Sequence, residues 1–175
     1  MTCDILNIPF EPIEVNLPTK EHLTADHAIL MYLVDKYGKD DSLYPKDLKK
    51  RALVNQKLFF DTGILFARLK NMVVSVFYEG ATSLSEKQLR DVYEAYGFLE
   101  EFLTRSKYLA GDGITIADIS AITYVTSIVY VLPLDAKIYP KTAAWIKDLE
   151  QKPYCQKYNA RGTALLGERI RQAFK

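Results

Sequence analysis

The sequence predicts a mainly α-helical protein, in which a helical bundle of at least five members follows a short N-terminal α/β segment. Apolar residues recur at helical spacing through most of the chain, two helix starts carry capping boxes, and one short stretch alternates with the period of a strand. The chain has 175 residues, of which 49% are hydrophobic and 26% are charged. This is the composition of one globular domain, or of one domain with a small appendage.

Charge and cysteine content exclude several classes of protein. With 23 Lys+Arg against 22 Asp+Glu, the net charge of +1 gives no global field for nucleic acid or an anionic membrane. The longest uncharged stretch, residues 119–134, is shorter than the roughly 20 residues that a bilayer requires. Cys3 and Cys155 are too few for a secreted disulfide framework, and no signal peptide is recognisable. We expect a soluble cytoplasmic protein with no nucleic-acid and no membrane partner.

The N-terminal segment carries the strand signal. Between residues 9 and 17, apolar and polar residues alternate and a proline ends the run, which is typical of a strand. Thr24 is a candidate N-cap for the next helix, and Gly38 ends that helix. Residues 39–45 are charged and then contain a proline. We therefore predict a domain boundary there.

One long helix is predicted from about residue 47 to residue 78. Its apolar residues form a first stripe of Val54, Leu58, Leu65, Leu69, Met72 and Val76, and a second stripe of Phe59, Phe66, Val73 and Phe77. A helix that is apolar on two faces either buries both, or buries one and lines a cleft with the other. Gly63 weakens the centre of this helix by roughly 1 kcal/mol relative to alanine, so tertiary packing must stabilise it.

Two later helices start with the same local device. Ser85 with Gln88, and Thr115 with Asp118, have the spacing of a capping box, in which the two residues exchange side-chain and backbone hydrogen bonds. For Asp118 this favours a role in starting the helix over a catalytic role. The remaining helices are predicted at residues 140–151 and 162–174, the first of them with a proline at its start.

The sequence contains few residues that suggest catalysis. His22 and His27 are five residues apart and have no glutamate or cysteine at zinc-site spacing, so no metal cofactor is expected. No phosphate-binding glycine loop and no nucleophile elbow occurs, which leaves nucleotide chemistry and nucleophilic hydrolysis without support. Cys3 has an acidic neighbour, which disfavours a thiolate, and we interpret it as a bystander thiol.

Several stretches of the sequence together resemble one enzyme family. They are residues 24–47, Arg51-Ala-Leu-Val-Asn-Gln, Phe60-Asp-Thr-Gly-Ile-Leu-Phe-Ala-Arg and Leu109-Ala-Gly-Asp-Gly-Ile-Thr-Ile-Ala-Asp. Over essentially all of residues 6–175, the chain resembles cytosolic glutathione S-transferases of the insect epsilon/delta type. The resemblance implies a thioredoxin-like N-terminal domain that binds glutathione and an all-helical C-terminal domain with a pocket for an apolar electrophile.

The N-terminal part is short for such a fold. Four strands, three helices and their connections need roughly 70 residues. By the resemblance, residues 1–38 are a remnant of the thioredoxin-like glutathione-binding domain, residues 39–46 are the linker, and residues 47–175 are the helical C-terminal domain. The first strand with its catalytic hydroxyl has no counterpart, nor has a segment between Leu23 and Thr24. We therefore predict no catalytic residue in this chain.

The resemblance also implies two groups of site residues. For glutathione as co-substrate they are His22, Asp26 and His27, with an exposed or helix-start residue of no function as the alternative. For the electrophile they are Phe66, Leu69, Lys70, Val73, Val74, Tyr78, Leu165 and Leu166. Core packing is the alternative for Leu69 and Val73. Aromatic and aliphatic groups beside one cation suit flat apolar ligands or organic anions.

The expected function is conjugation of glutathione to apolar electrophiles, as in detoxification of xenobiotics, impaired in this shortened chain. One alternative is a non-catalytic protein that binds hydrophobic ligands, and another is a transferase-like protein interaction module. The sequence leaves open whether the chain forms a homodimer. The dimer of the family uses both domains, and half of one domain has no counterpart here.

Overall fold

A computed structural model describes residues 1–11 and 27–174 of the chain. Its helical elements are α1 (Thr2–Ile5), α2 (His27–Tyr37), α3 (Leu48–Phe60), a π-helical turn (Asp61–Leu65), α4 (Phe66–Phe77), α5 (Glu86–Arg105), α6 (Ile116–Val131), α7 (Pro140–Glu150), α8 (Pro153–Tyr158) and α9 (Ala160–Ala173). The described residues form no β-strand, and Tyr108 and Gly111 make an isolated bridge. The prediction of a mainly α fold is confirmed.

The helix expected to run without interruption around Gly63 is interrupted there. It consists of α3 and α4 joined by the π-turn Asp61–Leu65, so the expectation of one regular helix is corrected. A π-turn uses i→i+5 hydrogen bonds and therefore contains a wider turn than the α-helix on either side. The apolar spacing survives this change, which is why the pattern alone indicated a continuous helix.

One face of this interrupted helix is buried, and the other is partly open. All residues of the first stripe are at most 7% exposed. In the second stripe Phe59 and Phe77 are exposed, whereas Phe66 and Val73 are half-buried. The helix therefore packs one side into the core and leaves apolar side chains accessible on the other.

Both predicted capping boxes form. The Ser85 hydroxyl accepts a hydrogen bond from the Gln88 amide at 3.2 Å, and the Gln88 side chain accepts one from the Ser85 amide at 2.8 Å. Thr115 and Asp118 make the same reciprocal arrangement at the start of α6. These local bonds fix the points at which α5 and α6 begin.

Helix α6 lies at the centre of the main core. It contacts α3, the π-turn, α4, α7 and α9, and most of its residues are buried. A helix that is apolar on all sides is expected in such a central position. Neither α6 nor any other helix in the described residues combines the length and the apolarity that crossing a membrane requires.

A second, smaller core joins α2 and the linker to the bundle. Its buried members are Val34, Tyr44, Val54, Leu58, Ile116 and Ala117. The guanidinium of Arg51 on α3 donates to Asp35 Oδ1 on α2 at 2.8 Å and stacks over the Tyr44 ring at 4.1 Å. The linker residues are thereby fixed between α2 and α3.

The N-terminal segment also contacts α8. Asp4 Oδ1 accepts hydrogen bonds from the Tyr158 hydroxyl at 2.9 Å and from Lys157 Nζ at 3.2 Å, and the Phe10 ring lies 5.7 Å from the Tyr158 ring. Residues 8–11 have no regular secondary structure. The rest of the expected strand lies outside the described residues, so the strand stays a prediction.

Candidate functional site

His27, the first residue of α2, lies where α2, the π-turn and α6 meet. Its Nε2 atom is 2.8 Å from Asp61 Oδ2 and 2.8 Å from the Ser120 hydroxyl. Its Nδ1 atom is 3.1 Å from the Thr62 hydroxyl. Side chains from two other elements, the π-turn and α6, therefore contact the imidazole of α2, and the His27 side chain is 19% exposed. We call His27, Asp61, Thr62 and Ser120 the His27 cluster.

Asp61 is completely buried although it carries a carboxyl group. Burial raises the pKa of Asp61, and the hydrogen bonds from His27 and Ser120 act in the opposite direction. Its Oδ2 atom accepts a hydrogen bond from the Ser120 hydroxyl at 2.6 Å. Within the described part of the chain, its Oδ1 atom has no hydrogen-bond partner. Buried polar atoms are normally paired, so this arrangement marks a candidate functional site.

The π-turn places two consecutive residues on the same imidazole ring. Asp61 approaches Nε2 and Thr62 approaches Nδ1. The Thr62 hydroxyl also bonds to the Leu58 carbonyl oxygen at 3.1 Å, which orients this side chain along the helix. π-turns inside α-helices occur frequently at functional sites.

The sequence singles out His27 but not its partners. One signal for Asp61 was present, because Asp61 lies between Leu58 and Leu65 on the buried stripe, where a charged residue needs a partner. Thr62 and Ser120 had no comparable signal. Hydroxyl side chains are common on helices, and their bond to His27 depends on how the elements pack.

Of the three residues expected to contact glutathione, His27 alone belongs to the described residues. His22 and Asp26 lie outside them, so their roles stay predictions. His27 is bonded to the helical bundle on both ring nitrogens and remains partly accessible. The cluster presents one edge of an imidazole to solvent.

The residues expected to line the electrophile pocket come from α4, from Tyr78 directly after it and from α9, and the two helices contact each other. The half-buried members are Phe66, Val73, Val74 and Leu166, and the exposed members are Lys70, Tyr78 and Leu165. Leu69 is 7% exposed and belongs to the main core, which is the alternative that the sequence left open. Val73 packs against the same core from its edge.

Tyr124 on α6 lies close to both groups of candidate residues. Its ring is 5.6 Å from the Phe66 ring. Burial raises the pKa of Tyr124, and the charge of Asp61 adds to this rise. The apolar face of α4 and the His27 cluster are therefore neighbours, although the sequence pattern gave no reason to join them.

Two cavities lie along the seam between α6 and α9. One of about 460 Å³ is lined by Tyr130, Val131, Glu168, Arg171, Gln172 and Phe174. The other, of about 280 Å³, also includes Tyr130 and extends to Cys155 and Asn159. None of the residues expected in the electrophile pocket lines either cavity. In residues 1–11 and 27–174, no three His, Cys, Asp or Glu side chains are grouped to hold a metal ion.

Comparison with known proteins identifies close relatives. Residues 44–153 match the family model described as Glutathione S-transferase, C-terminal domain. The chain is 38% identical to Glutathione S-transferase 1 of Manduca sexta over 190 residues, which cover 94% of this chain and 87% of that protein. This alignment is longer than the 175-residue chain, so it contains positions of the moth protein with no counterpart here.

Solved structures of insect proteins have the same fold. An epsilon-class glutathione S-transferase from the housefly, Musca domestica, superposes with a TM-score of 0.93 at 41% identity, covering 98% of this chain and 90% of that chain. A glutathione transferase homologue from Drosophila mojavensis with bound glutathione superposes with a TM-score of 0.91 at 39% identity, covering 98% and 89%.

Proposed function

The chain belongs to the glutathione S-transferase family, and we propose that it binds apolar electrophiles for conjugation to glutathione. The observation that carries this proposal is the half-open face of α4. Phe66, Val73 and Val74 remain partly accessible there, while the neighbouring stripe of the same helix, Leu69, Met72 and Val76, is buried. Apolar side chains left accessible beside a second helix are typical of a ligand site.

The chemistry of this face defines the class of ligand. Phe66 and Tyr78 offer aromatic surface, and Val73 and Val74 offer aliphatic surface along the same helix. Lys70 lies one turn from Phe66 and Val74 and is exposed, so its ammonium group is available to a ligand. A flat apolar compound, or an organic anion with an apolar body, matches these groups.

We further propose that the γ-glutamyl end of glutathione binds beside Asp26 and His27, and that His22 lies near its glycyl carboxylate. The bound glutathione in the Drosophila mojavensis homologue supports this ligand class. His27 supports the location, because its imidazole is held by the bundle and stays partly accessible. A reducing cytoplasm, where glutathione is abundant, is the compartment that this co-substrate requires.

We propose that conjugation by this chain is slower than conjugation by its longer relatives. By the resemblance, the segment without a counterpart between Leu23 and Thr24 holds the second helix, a proline turn and two strands of the family's glutathione domain. The positions of the moth protein without a counterpart here support a shortened glutathione domain. Binding of the apolar partner depends on α4 and α9 and is expected to persist.

The experiment separates binding from conjugation. Binding is measured by displacement of a fluorescent apolar dye with 1-chloro-2,4-dinitrobenzene, and conjugation by the absorbance of its glutathione adduct. Phe66→Ala is expected to weaken dye binding about tenfold, since the variant loses the aromatic surface that the dye would cover. Phe59→Ala is the matched control, because Phe59 is 76% exposed one segment earlier on the same interrupted helix.

Each result has a defined meaning. Displaceable dye binding with slow conjugation supports the proposal. Binding with no conjugation at saturating glutathione limits the protein to carrying hydrophobic ligands. Absence of dye binding, or equal loss in Phe66→Ala and Phe59→Ala, overturns the proposed pocket. Conjugation as fast as in the longer relatives overturns the proposed impairment.

A further inference from the structure

We propose that Tyr124 on α6 determines which apolar ligands the chain prefers, by donating a hydrogen bond to an aromatic compound that carries a carbonyl or nitro oxygen. This inference rests on the proposed function, because it adds a residue to the pocket at α4 and α9. It goes further by naming the polar group that the preferred ligand carries. The residues that the resemblance assigns to this pocket do not include any residue of α6.

Helix α6 packs against both helices that carry the expected pocket. It contacts α4 and α9, and those two helices also contact each other. Most residues in the middle of α6 are buried in the core, whereas Thr123 and Tyr124 are half-buried. Thr123 donates its single hydroxyl hydrogen to the Ser120 carbonyl oxygen at 2.8 Å. Of these two side chains, Tyr124 is therefore the one with a hydroxyl hydrogen to offer.

The Tyr124 ring extends the aromatic surface of Phe66. The two ring centroids are 5.6 Å apart, and the ring planes are inclined at 54°. Both side chains are half-buried, so each keeps some accessible surface. Interacting aromatic rings have their centroids about 4.5–7 Å apart, so a flat ligand in contact with Phe66 lies within reach of Tyr124.

The Tyr124 hydroxyl has no hydrogen-bond partner among the described residues. The buried Tyr96, by contrast, donates to the Leu132 carbonyl oxygen at 2.8 Å. Tyrosine hydroxyl groups that leave solvent usually find such a partner. Burial raises the pKa of Tyr124, so the hydroxyl keeps its hydrogen near neutral pH. A ligand that covers this side chain therefore needs an oxygen that can accept this hydrogen.

The charges around Tyr124 favour a neutral oxygen over a carboxylate. Asp61 lies near enough for its charge to raise the pKa of Tyr124 further, and the same charge repels an anionic group placed there. Lys70 on α4 is exposed, and its ammonium group can only donate hydrogen bonds. A charged group of a ligand is therefore expected at Lys70, and a carbonyl or nitro oxygen at Tyr124.

Two ligands that differ at a single group test the role of Tyr124. Benzophenone carries a carbonyl oxygen between its two rings, where diphenylmethane carries two hydrogens. Each compound is measured as a competitor of a fluorescent apolar dye, without glutathione. Loss of one neutral hydrogen bond in Tyr124→Phe should weaken benzophenone binding about fivefold and change diphenylmethane binding by less than about twofold.

Tyr130→Phe is the matched control. Tyr130 is also half-buried on α6, but its hydroxyl donates to Glu168 at 3.4 Å, and it lines the cavities beside α9 that contain none of the expected pocket residues. This variant should keep the benzophenone preference. Tyr124→Phe should also keep its melting temperature, because no bond within the described residues is lost. A lower melting temperature with an unchanged ligand preference would mean that the hydroxyl serves the fold, and it overturns the proposal.

The outcomes distinguish this proposal from the proposed function. A loss of benzophenone affinity in Tyr124→Phe but not in Tyr130→Phe supports the role of Tyr124. Equal effects of Tyr124→Phe on both compounds overturn that role and leave the pocket in place, provided that Phe66→Ala weakens both. If neither compound displaces the dye, or if Phe66→Ala changes neither, the pocket and the role of Tyr124 are both overturned. Slow or absent conjugation affects none of these measurements.

Discussion

One carboxylate oxygen of Glu100, on α5, accepts two hydrogen bonds from Thr142 in the first turn of α7. The Thr142 amide and the Thr142 hydroxyl each donate one, at 2.8 Å. The other carboxylate oxygen accepts a hydrogen bond from the Lys141 amide at 2.9 Å. Tyr139, the residue before α7, makes no side-chain cap of its own. A helix start normally has unpaired amide groups, and here a side chain from another helix pairs two of them.

Removal of this tertiary cap is expected to destabilise the fold. Glu100→Ala leaves the amides of the first turn of α7 without their partner and should lower the free energy of unfolding by about 1–2 kcal/mol. Urea denaturation followed by circular dichroism measures the change. Glu101→Ala is the matched control, since Glu101 is exposed and pairs only with Arg105 on the same helix among the contacts described. Equal losses in both variants contradict the capping role.

Asp118 is expected to tolerate substitution less than Glu100. Its buried carboxylate accepts hydrogen bonds from the Leu109 amide, the Thr115 amide and hydroxyl, and the Trp145 indole at 2.9–3.1 Å. Asparagine replaces one accepting oxygen by a donating NH₂ group, so Asp118→Asn should cost about 3 kcal/mol. Trp145 is the single tryptophan, and its fluorescence reports unfolding at this point. Asp112→Asn, on the exposed neighbouring loop, should change stability little.

Local sequence patterns predicted the elements of the fold well. The capping boxes at Ser85 and Thr115 depend on residues three positions apart, and the buried stripe of α3 and α4 depends on helical spacing. Both signals lie within a few turns of one helix, so the sequence displays them directly. The start of α7 at Pro140 was predicted for the same reason.

Contacts between distant elements were not predictable from these patterns. Glu100 and Thr142 are forty-two positions apart, and Ser120 is ninety-three positions from His27. The π-turn also escaped prediction, because it preserves the apolar spacing around Gly63 while changing the turn. The candidate site depends on such contacts, so its individual residues were predicted less completely than the helices.

Close packing at Gly167 predicts that alanine substitution destabilises the protein at Gly167 but not at Gly162, although both glycines lie on α9. A Cβ atom at Gly167 would lie 2.1 Å from Cδ1 of Tyr130, whereas one at Gly162 meets nothing within 4 Å. Gly167→Ala should therefore push α9 away from α6 and cost about 1–3 kcal/mol. Gly162→Ala should leave stability unchanged or raise it slightly, since alanine favours helix. Thermal unfolding of both variants checks this, and similar melting temperatures contradict it.

The two cysteines are expected to differ sharply in reactivity. Cys155 is 2% exposed, and burial raises the pKa of its thiol, while Cys3 is partly exposed. Since the thiolate is the reactive form, an aromatic disulfide reagent near neutral pH should label Cys3 first and Cys155 only after unfolding. Raising the pH increases the thiolate fraction at Cys155 and should therefore speed the labelling of Cys155. Cys3→Ser should remove the fast phase and Cys155→Ser the slow one. Fast labelling of both thiols in the folded chain would mean that Cys155, on α8, is not buried against the bundle.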